Sequence, residues 1–154
     1  MGKPQPTSAK PPPTCKAFLL CERAIVEAGT ESVTLIGIIN GVDVDEFPAS
    51  LPPITTYLHL VDGIGSYEIH MEMQDLNSGE VIASSLVAAI EFPERPGLIE
   101  LIIPISFLPI EHAGVYDIVV LANEQEIERQ KLTVGHSDDS GDENNVSPTP
   151  EEGD

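Results

Sequence analysis

The chain has 154 residues, a length that predicts one domain, or one domain with tails. Its 26 acidic and 7 basic residues give a formal net charge of −19. A chain this acidic repels the phosphates of nucleic acids and of anionic lipid surfaces, so neither nucleic acid nor membrane is expected as a partner.

Composition divides the chain into three zones. Residues 1–15 are polar and rich in proline, which predicts a disordered N-terminal tail. Residues 16–134 form the folded segment, which carries 19 acids against five bases. Residues 135–154 hold seven acids and no Lys or Arg. They offer too little apolar surface to offset the entropy of ordering, so a disordered acidic C-terminal tail is predicted.

The strand signals follow in chain order within the folded segment. Short runs of Val, Ile, Thr, Leu and Tyr are broken by Gly, Pro, Asn and Asp, and helical spacing of apolar residues is not sustained. About eight strands are predicted, at residues 17–27, 33–39, 54–61, 66–74, 81–91, 98–105, 115–122 and 127–134. Consecutive hairpins and one long crossover at residues 40–53 predict an all-β antiparallel sandwich, with a closed barrel as the alternative.

The most detailed prediction is a hairpin at residues 62–65. Apolar residues alternate with polar ones on both flanks, and Gly63 suits the positive φ of a two-residue type II′ turn. The resulting register places every apolar residue opposite another apolar residue, and a slip of one residue would break all of these pairs. It places Leu60 opposite Tyr67, and Leu58 opposite Ile69. Further hairpins are expected at residues 76–79 and 123–126.

The N-terminal residues and the two cysteines bear on the cellular compartment. No apolar stretch near the N-terminus is long enough for a signal peptide, and no window approaches the length of a transmembrane helix. A cytoplasmic location is therefore expected. Cys15 and Cys21 lie on one predicted strand, roughly 20 Å apart at ~3.3 Å per residue. This separation is too large for a disulfide, so both are expected to be free thiols.

Residues suited to catalysis are sparse. The sequence contains no nucleophile elbow, phosphate-binding loop, dinucleotide fingerprint or zinc-protease motif, so no enzymatic activity and no cofactor are predicted. The hairpin register does bring His59, Glu68 and His70 onto one sheet face. Imidazole and carboxylate groups are ligands for Zn²⁺ and similar metals, so these three residues are a candidate metal site. They also fit an ordinary solvated sheet face, which is the favoured interpretation.

Four places in the segment from Phe18 to Val134 resemble a family of small, uncharacterised bacterial proteins. They are Leu19-Leu20-Cys21-Glu22, the strand Val33–Ile38, the crossover Phe47–Pro52, and Gly114-Val115-Tyr116 followed by Ile118 and Val120. The resemblance implies a compact β-sandwich with immunoglobulin-like character. It implies no activity.

The sequence as a whole predicts a non-enzymatic binding or assembly module that acts through protein–protein contacts. Residues 98–105 are apolar on both parities except at Glu100 and Pro104, which indicates burial on two faces, as at a subunit contact. The expected partner is therefore another protein or a second copy of the chain. The alternative function is a metal- or small-ligand-binding domain that uses the His/Glu cluster.

Overall fold

The computed structural model describes residues 10–94, 97–106 and 110–137. Within these residues the chain forms nine strands in two sheets. The strands are Thr14–Val26 (β1), Val33–Ile38 (β2), Gly41–Val44 (β3), Ile54–Val61 (β4), Ser66–Asp75 (β5), Glu80–Glu91 (β6), Leu98–Ile105 (β7), Gly114–Ala122 (β8) and Gln125–His136 (β9).

The two sheets pack face to face as a sandwich. One has four strands in the order β2-β1-β4-β7, and the other has five in the order β3-β9-β8-β5-β6. Alternate residues of β4 and β5 are buried in one apolar core, as the period of two requires. The all-β sandwich predicted from the sequence is confirmed. The additional strand β3 lies inside the predicted crossover and pairs in parallel with β9, so the larger sheet is mixed.

The predicted hairpin at residues 62–65 is wrong. β4 pairs with β1 and β7 in one sheet, whereas β5 pairs with β6 and β8 in the other. The connection therefore crosses from sheet to sheet, and its positive φ angles occur at Asp62 and Gly65 rather than at Gly63. The predicted inward parity is nevertheless correct. Leu58 and Ile69 are both fully buried, but they reach the core from opposite sheets instead of lying side by side.

The other two predicted hairpins are present. Residues 76–79 join β5 to β6, with Asp75 paired with Glu80. Asn123 and Glu124 join β8 to β9, and both have positive φ, as a type I′ turn requires. Local turn chemistry therefore identified the hairpins whose strands really are neighbours.

The folded segment extends beyond the predicted limits of residues 16–134. β1 begins at Thr14 and β9 continues to His136. The hydroxyl of Tyr67 on β5 donates to the carbonyl of Pro11 at 2.9 Å, and Lys10 Nζ lies 4.3 Å from the centroid of the Tyr67 ring. Residues 1–9 and 138–154 lie outside the described residues, so the disorder expected there stays a prediction.

β7 is an edge strand, not a strand buried on both faces. Its inward side chains, such as Leu101, are partly buried against the core. Leu98, Glu100 and Pro104 on the other parity are exposed. Proline is tolerated at such an edge because its missing N–H removes no hydrogen bond to a neighbouring strand. Within the single chain, β7 therefore packs against the core through one face only.

Candidate functional site

The three residues of the predicted metal site do not come together. His59 lies on the outer face of the four-stranded sheet, where its partners in register are Ala17 and Glu100. Glu68 and His70 lie on the outer face of the five-stranded sheet. The core of the sandwich separates them from His59, because β4 and β5 belong to different sheets.

Within residues 10–94, 97–106 and 110–137, no group of three or more His, Cys, Asp or Glu is placed to hold a metal ion. Cys15 and Cys21 are both free thiols, as expected from their spacing. The same part of the chain contains no helix long and apolar enough to cross a membrane.

Asp75 at the end of β5 and His112 in the loop before β8 form an ionisable pair that the sequence alone did not predict. The Nε2 atom of His112 lies 2.8 Å from the Asp75 carboxylate, and its Nδ1 atom lies 2.8 Å from the carbonyl oxygen of Ala113. Both hydrogen bonds raise the pKa of His112, since both acceptors favour a doubly protonated ring. A ring held between two acceptors has no free lone pair for general-base chemistry, so this pair is structural.

Asp75 is held in its ionised form. Burial acts to raise its pKa, but hydrogen bonds from the backbone N–H of Asn77 and from His112 outweigh burial and lower it. Tyr116 near the start of β8 donates to the carbonyl of His112 at 2.6 Å. A tyrosine bonded to backbone a few residues upstream is the tyrosine corner of immunoglobulin-like sandwiches. These contacts fasten the loop before β8 to the β5–β6 hairpin.

The Asp75–His112 pair predicts how stability depends on pH. The folded-state pKa of His112 is raised above 6.5, so its contribution is complete below that pH and is lost as the pH rises through the folded-state value. The folded-state pKa of Asp75 is lowered below 3.8, so its contribution is present above that pH and is lost on further acidification. We expect a decline in Tm above about pH 6.5 that the His112→Gln variant lacks.

Thermal unfolding of both proteins across pH 4 to 9 measures this difference. It should amount to a few degrees at most, because His112 is nearly half exposed and the ion pair is screened by solvent. Parallel curves for the two proteins would contradict the assignment.

A second buried carboxylate lies on the outer face of the five-stranded sheet. Asp117 on β8 accepts a hydrogen bond from Arg129 Nη1 at 2.6 Å, and Lys131 Nζ lies 3.6 Å from its other oxygen. Arg129 also pairs with Glu126 at 2.7 Å. The opposite charges neutralise one another, so this cluster ties β8 to β9 and offers no unpaired charge to a ligand.

The candidate interaction surface is the β6 edge, which we define as the side of Glu80–Glu91 that faces away from β5. In the described structure β6 pairs with β5 alone, so the backbone N–H and C=O groups on its other side have no neighbouring strand. Residues 81–90 contain no charge and no proline, the features that commonly protect an edge. Val81 and Leu86 are 50% and 54% exposed.

A cavity of about 240 Å³ adjoins the β6 edge where the two sheets separate. Two flexible methionines of β5, Met71 and Met73, form part of its wall. The other apolar side chains in the described lining are Ala83, Val87, Ile105 and Ile118. The described lining also includes Glu72, Ser84, Ser85 and Ser106. A cavity of about 150 Å³ already holds a group the size of benzene, so this one has room for a branched or aromatic side chain.

Comparison with known proteins identifies the family. Residues 16–135 match the model of a family of unknown function, DUF6941. The chain belongs to this family. The match runs through nearly all of the DUF6941 sandwich, from β1 to the end of β9, and confirms the resemblance to an uncharacterised domain family. It assigns the DUF6941 domain no activity.

Two other comparisons add no function. No curated protein matches the chain. One similar solved structure is the Pseudomonas fluorescens alkylpurine DNA glycosylase AlkC bound to DNA containing an abasic site analog, with 9% sequence identity and a TM-score of 0.48. The match covers 62% of this chain and 27% of that one, so the DUF6941 chain spans about a quarter of the length of the glycosylase. A likeness this weak supports no inference about the DUF6941 domain.

Proposed function

We propose that this DUF6941 domain is a non-enzymatic binding module that recognises another protein through the β6 edge. The observation that carries the proposal is a 12-residue edge strand with ten consecutive uncharged residues. The strand carries two bulges, but its pairing is regular from Ala83 to Leu86 and from Ala88 to Glu91. An edge with regular stretches and without charge or proline can extend its sheet by accepting a strand from another chain. The neighbouring cavity offers space for a side chain of that strand.

A non-enzymatic role is supported by how the ionisable groups are used. His112, which is paired with a carboxylate, has both ring nitrogens engaged, by Asp75 and by Ala113. A histidine that acts as the base in nucleophilic catalysis needs a free ring nitrogen beside a hydroxyl or thiol. The strongly acidic charge favours a protein partner over a nucleic acid.

Replacing Leu86 by lysine should weaken binding strongly without unfolding the domain. Lysine on an exposed edge position obstructs the addition of a further strand. Leu86 is already 54% exposed, so stability should stay within about 0.5 kcal/mol of the original. In co-purification from native cells, quantified by mass spectrometry, proteins retained by the unmodified chain should fall at least about tenfold with Leu86→Lys, a change of ~1.4 kcal/mol in binding free energy.

Ile38→Lys is the matched control. Ile38 is 50% exposed and lies on β2, an edge strand of the other sheet, so the added charge and the lost apolar area are similar. The same proteins should be retained by Ile38→Lys as by the unmodified chain. Equal retention by all three chains would remove the β6 edge as the binding surface.

A further inference from the structure

The chemistry of the partner can be inferred further, on the basis of the proposed function. We propose that the β6 edge binds an extended peptide segment with alternating apolar residues and with Lys or Arg at its flanks. The segment forms a tenth strand, next to β6. Three independent features of the molecule lead to this partner: the backbone of β6, the cavity beside it, and the distribution of charge around it.

The backbone of β6 determines that the partner is extended. The strand pairs with β5 in regular register from Ala83 to Leu86 and again from Ala88 to Glu91, with a bulge between these two stretches. Each stretch presents outward N–H and C=O groups to an incoming strand. A partner strand would lie about 4.8 Å beyond β6 and take up the same ladder of hydrogen bonds.

The cavity determines that alternate residues of the partner are apolar. Successive side chains of a strand point to opposite faces, so every second residue of an added strand would point toward the gap between the two sheets. That gap is walled by Met71, Met73, Ile105 and Ile118. Methionine side chains adapt to different shapes, so a Val, Ile, Leu or Phe side chain could be accommodated. The residues between them would lie on the outer face beside Leu86.

The charge distribution around β6 favours basic residues at the two ends of the partner segment. Glu80 and Glu91 bracket the uncharged run of β6, and Glu68 and Glu72 lie on the outer face of the adjacent β5. From residue 24 to residue 94 the sequence contains no Lys or Arg at all. Lys10 lies near the Glu91 end, because its Nζ donates to the carbonyl of Ser66, the partner of Glu91 in register. Basic residues at the ends of the incoming strand would lie beside Glu80 and Glu91, and electrostatic steering by the acidic chain would speed association.

The same charges argue against a second copy of the chain as the partner. In an antiparallel pairing of two β6 strands centred on the uncharged run, Glu80 of each copy would face Glu91 of the other. Like charges directly opposite each other destabilise a strand pair. The repulsion occurs at both ends of the pairing, so self-association is disfavoured where a basic partner is favoured.

Synthetic peptides test this partner chemistry on the full-length chain. The probe is a labelled peptide with a core of alternating Val and Thr and two lysines at each end. One comparison peptide has glutamates in place of the lysines. Another keeps the lysines but has two prolines in the core, which remove N–H groups needed for the ladder. Fluorescence anisotropy gives the affinities, and amide hydrogen exchange locates the bound peptide.

The lysine-flanked peptide should bind at least about tenfold more tightly than either comparison peptide, and salt should weaken its binding. It should slow exchange of the β6 amides, and Leu86→Lys should weaken it while Ile38→Lys does not. If the proline peptide binds equally well, the binding comes only from the attraction of lysines to an acidic chain, and strand addition is overturned. Equal binding of the glutamate-flanked peptide would overturn the charge preference.

Two remaining outcomes separate this inference from the proposed function. If no peptide binds but Leu86→Lys still loses the co-purified proteins that Ile38→Lys retains, the partner chemistry is wrong and the binding role stands. If light scattering shows a dimer that Leu86→Lys dissociates, the occupant of the β6 edge is a second copy, and the inference of a basic partner is overturned.

Discussion

The Leu58→Ala variant is expected to lose about 2–5 kcal/mol of unfolding free energy, the usual cost of a cavity in a packed core. Leu58 is fully buried and lies between Phe18 on β1 and Leu101 on β7 in the four-stranded sheet. The side chains of the facing sheet cannot fill the space left by the removed atoms unless their own strands move. Urea denaturation, followed by circular dichroism, measures the change.

Leu98→Ala is the matched control for this prediction. The same atoms are removed, but Leu98 is 53% exposed on β7, so the expected loss stays within about 0.5 kcal/mol. A small loss at Leu58, or similar losses at both positions, would contradict the packing of β4 against the five-stranded sheet.

The Gly63→Ala variant should be destabilised by about 1–3 kcal/mol or more through overpacking. Gly63 does not have a positive φ, so alanine is acceptable to the backbone there. A Cβ atom at this position would, however, overlap the buried ring of Phe92. The ring is itself fixed by an edge-to-face contact with Tyr67, with centroids 5.8 Å apart, so it cannot easily yield.

A double-mutant cycle with Phe92→Leu separates overpacking from backbone strain. Leucine is smaller than the ring, so Gly63→Ala should cost less in the Phe92→Leu background, with a coupling of about 0.5–3 kcal/mol. Gly79→Ala serves as the control. Gly79 has a φ of 80°, and a Cβ atom added there would meet nothing within 4 Å, so its cost should come from the backbone and be unaffected by Phe92→Leu. Additive effects of Gly63→Ala and Phe92→Leu would contradict the prediction.

The success and the failure at residues 54–75 have one physical cause. Alternation of apolar residues reports which side of a strand is buried, and Leu58 and Ile69 are indeed buried. It carries no information about which strand lies alongside. Two strands that pack against each other across a sandwich show the same pattern as two strands of a hairpin. The contact that requires Gly63 is made by Phe92, far along the chain, so local turn preferences could not reveal it.

The candidate site was predictable to a smaller extent than the fold. The grouping of His59 with Glu68 and His70 depended on the wrong strand pairing, so it failed with the hairpin. The Asp75–His112 pair joins the last residue of β5 to the loop before β8, and no local pattern relates the two residues. The uncharged run of β6 was visible in the sequence. Its position at the edge of a sheet depends on strand order, which the sequence pattern does not specify.

The parallel pairing of β3 with β9 affects the order of folding. Gly41 pairs with Thr133, so nearly the whole folded segment must be synthesised before this contact can form. The four-stranded sheet has all its strands once residue 105 has left the ribosome. Contacts between residues so distant in sequence close large loops and form slowly. We therefore expect β3 to join its sheet in one of the last steps of folding.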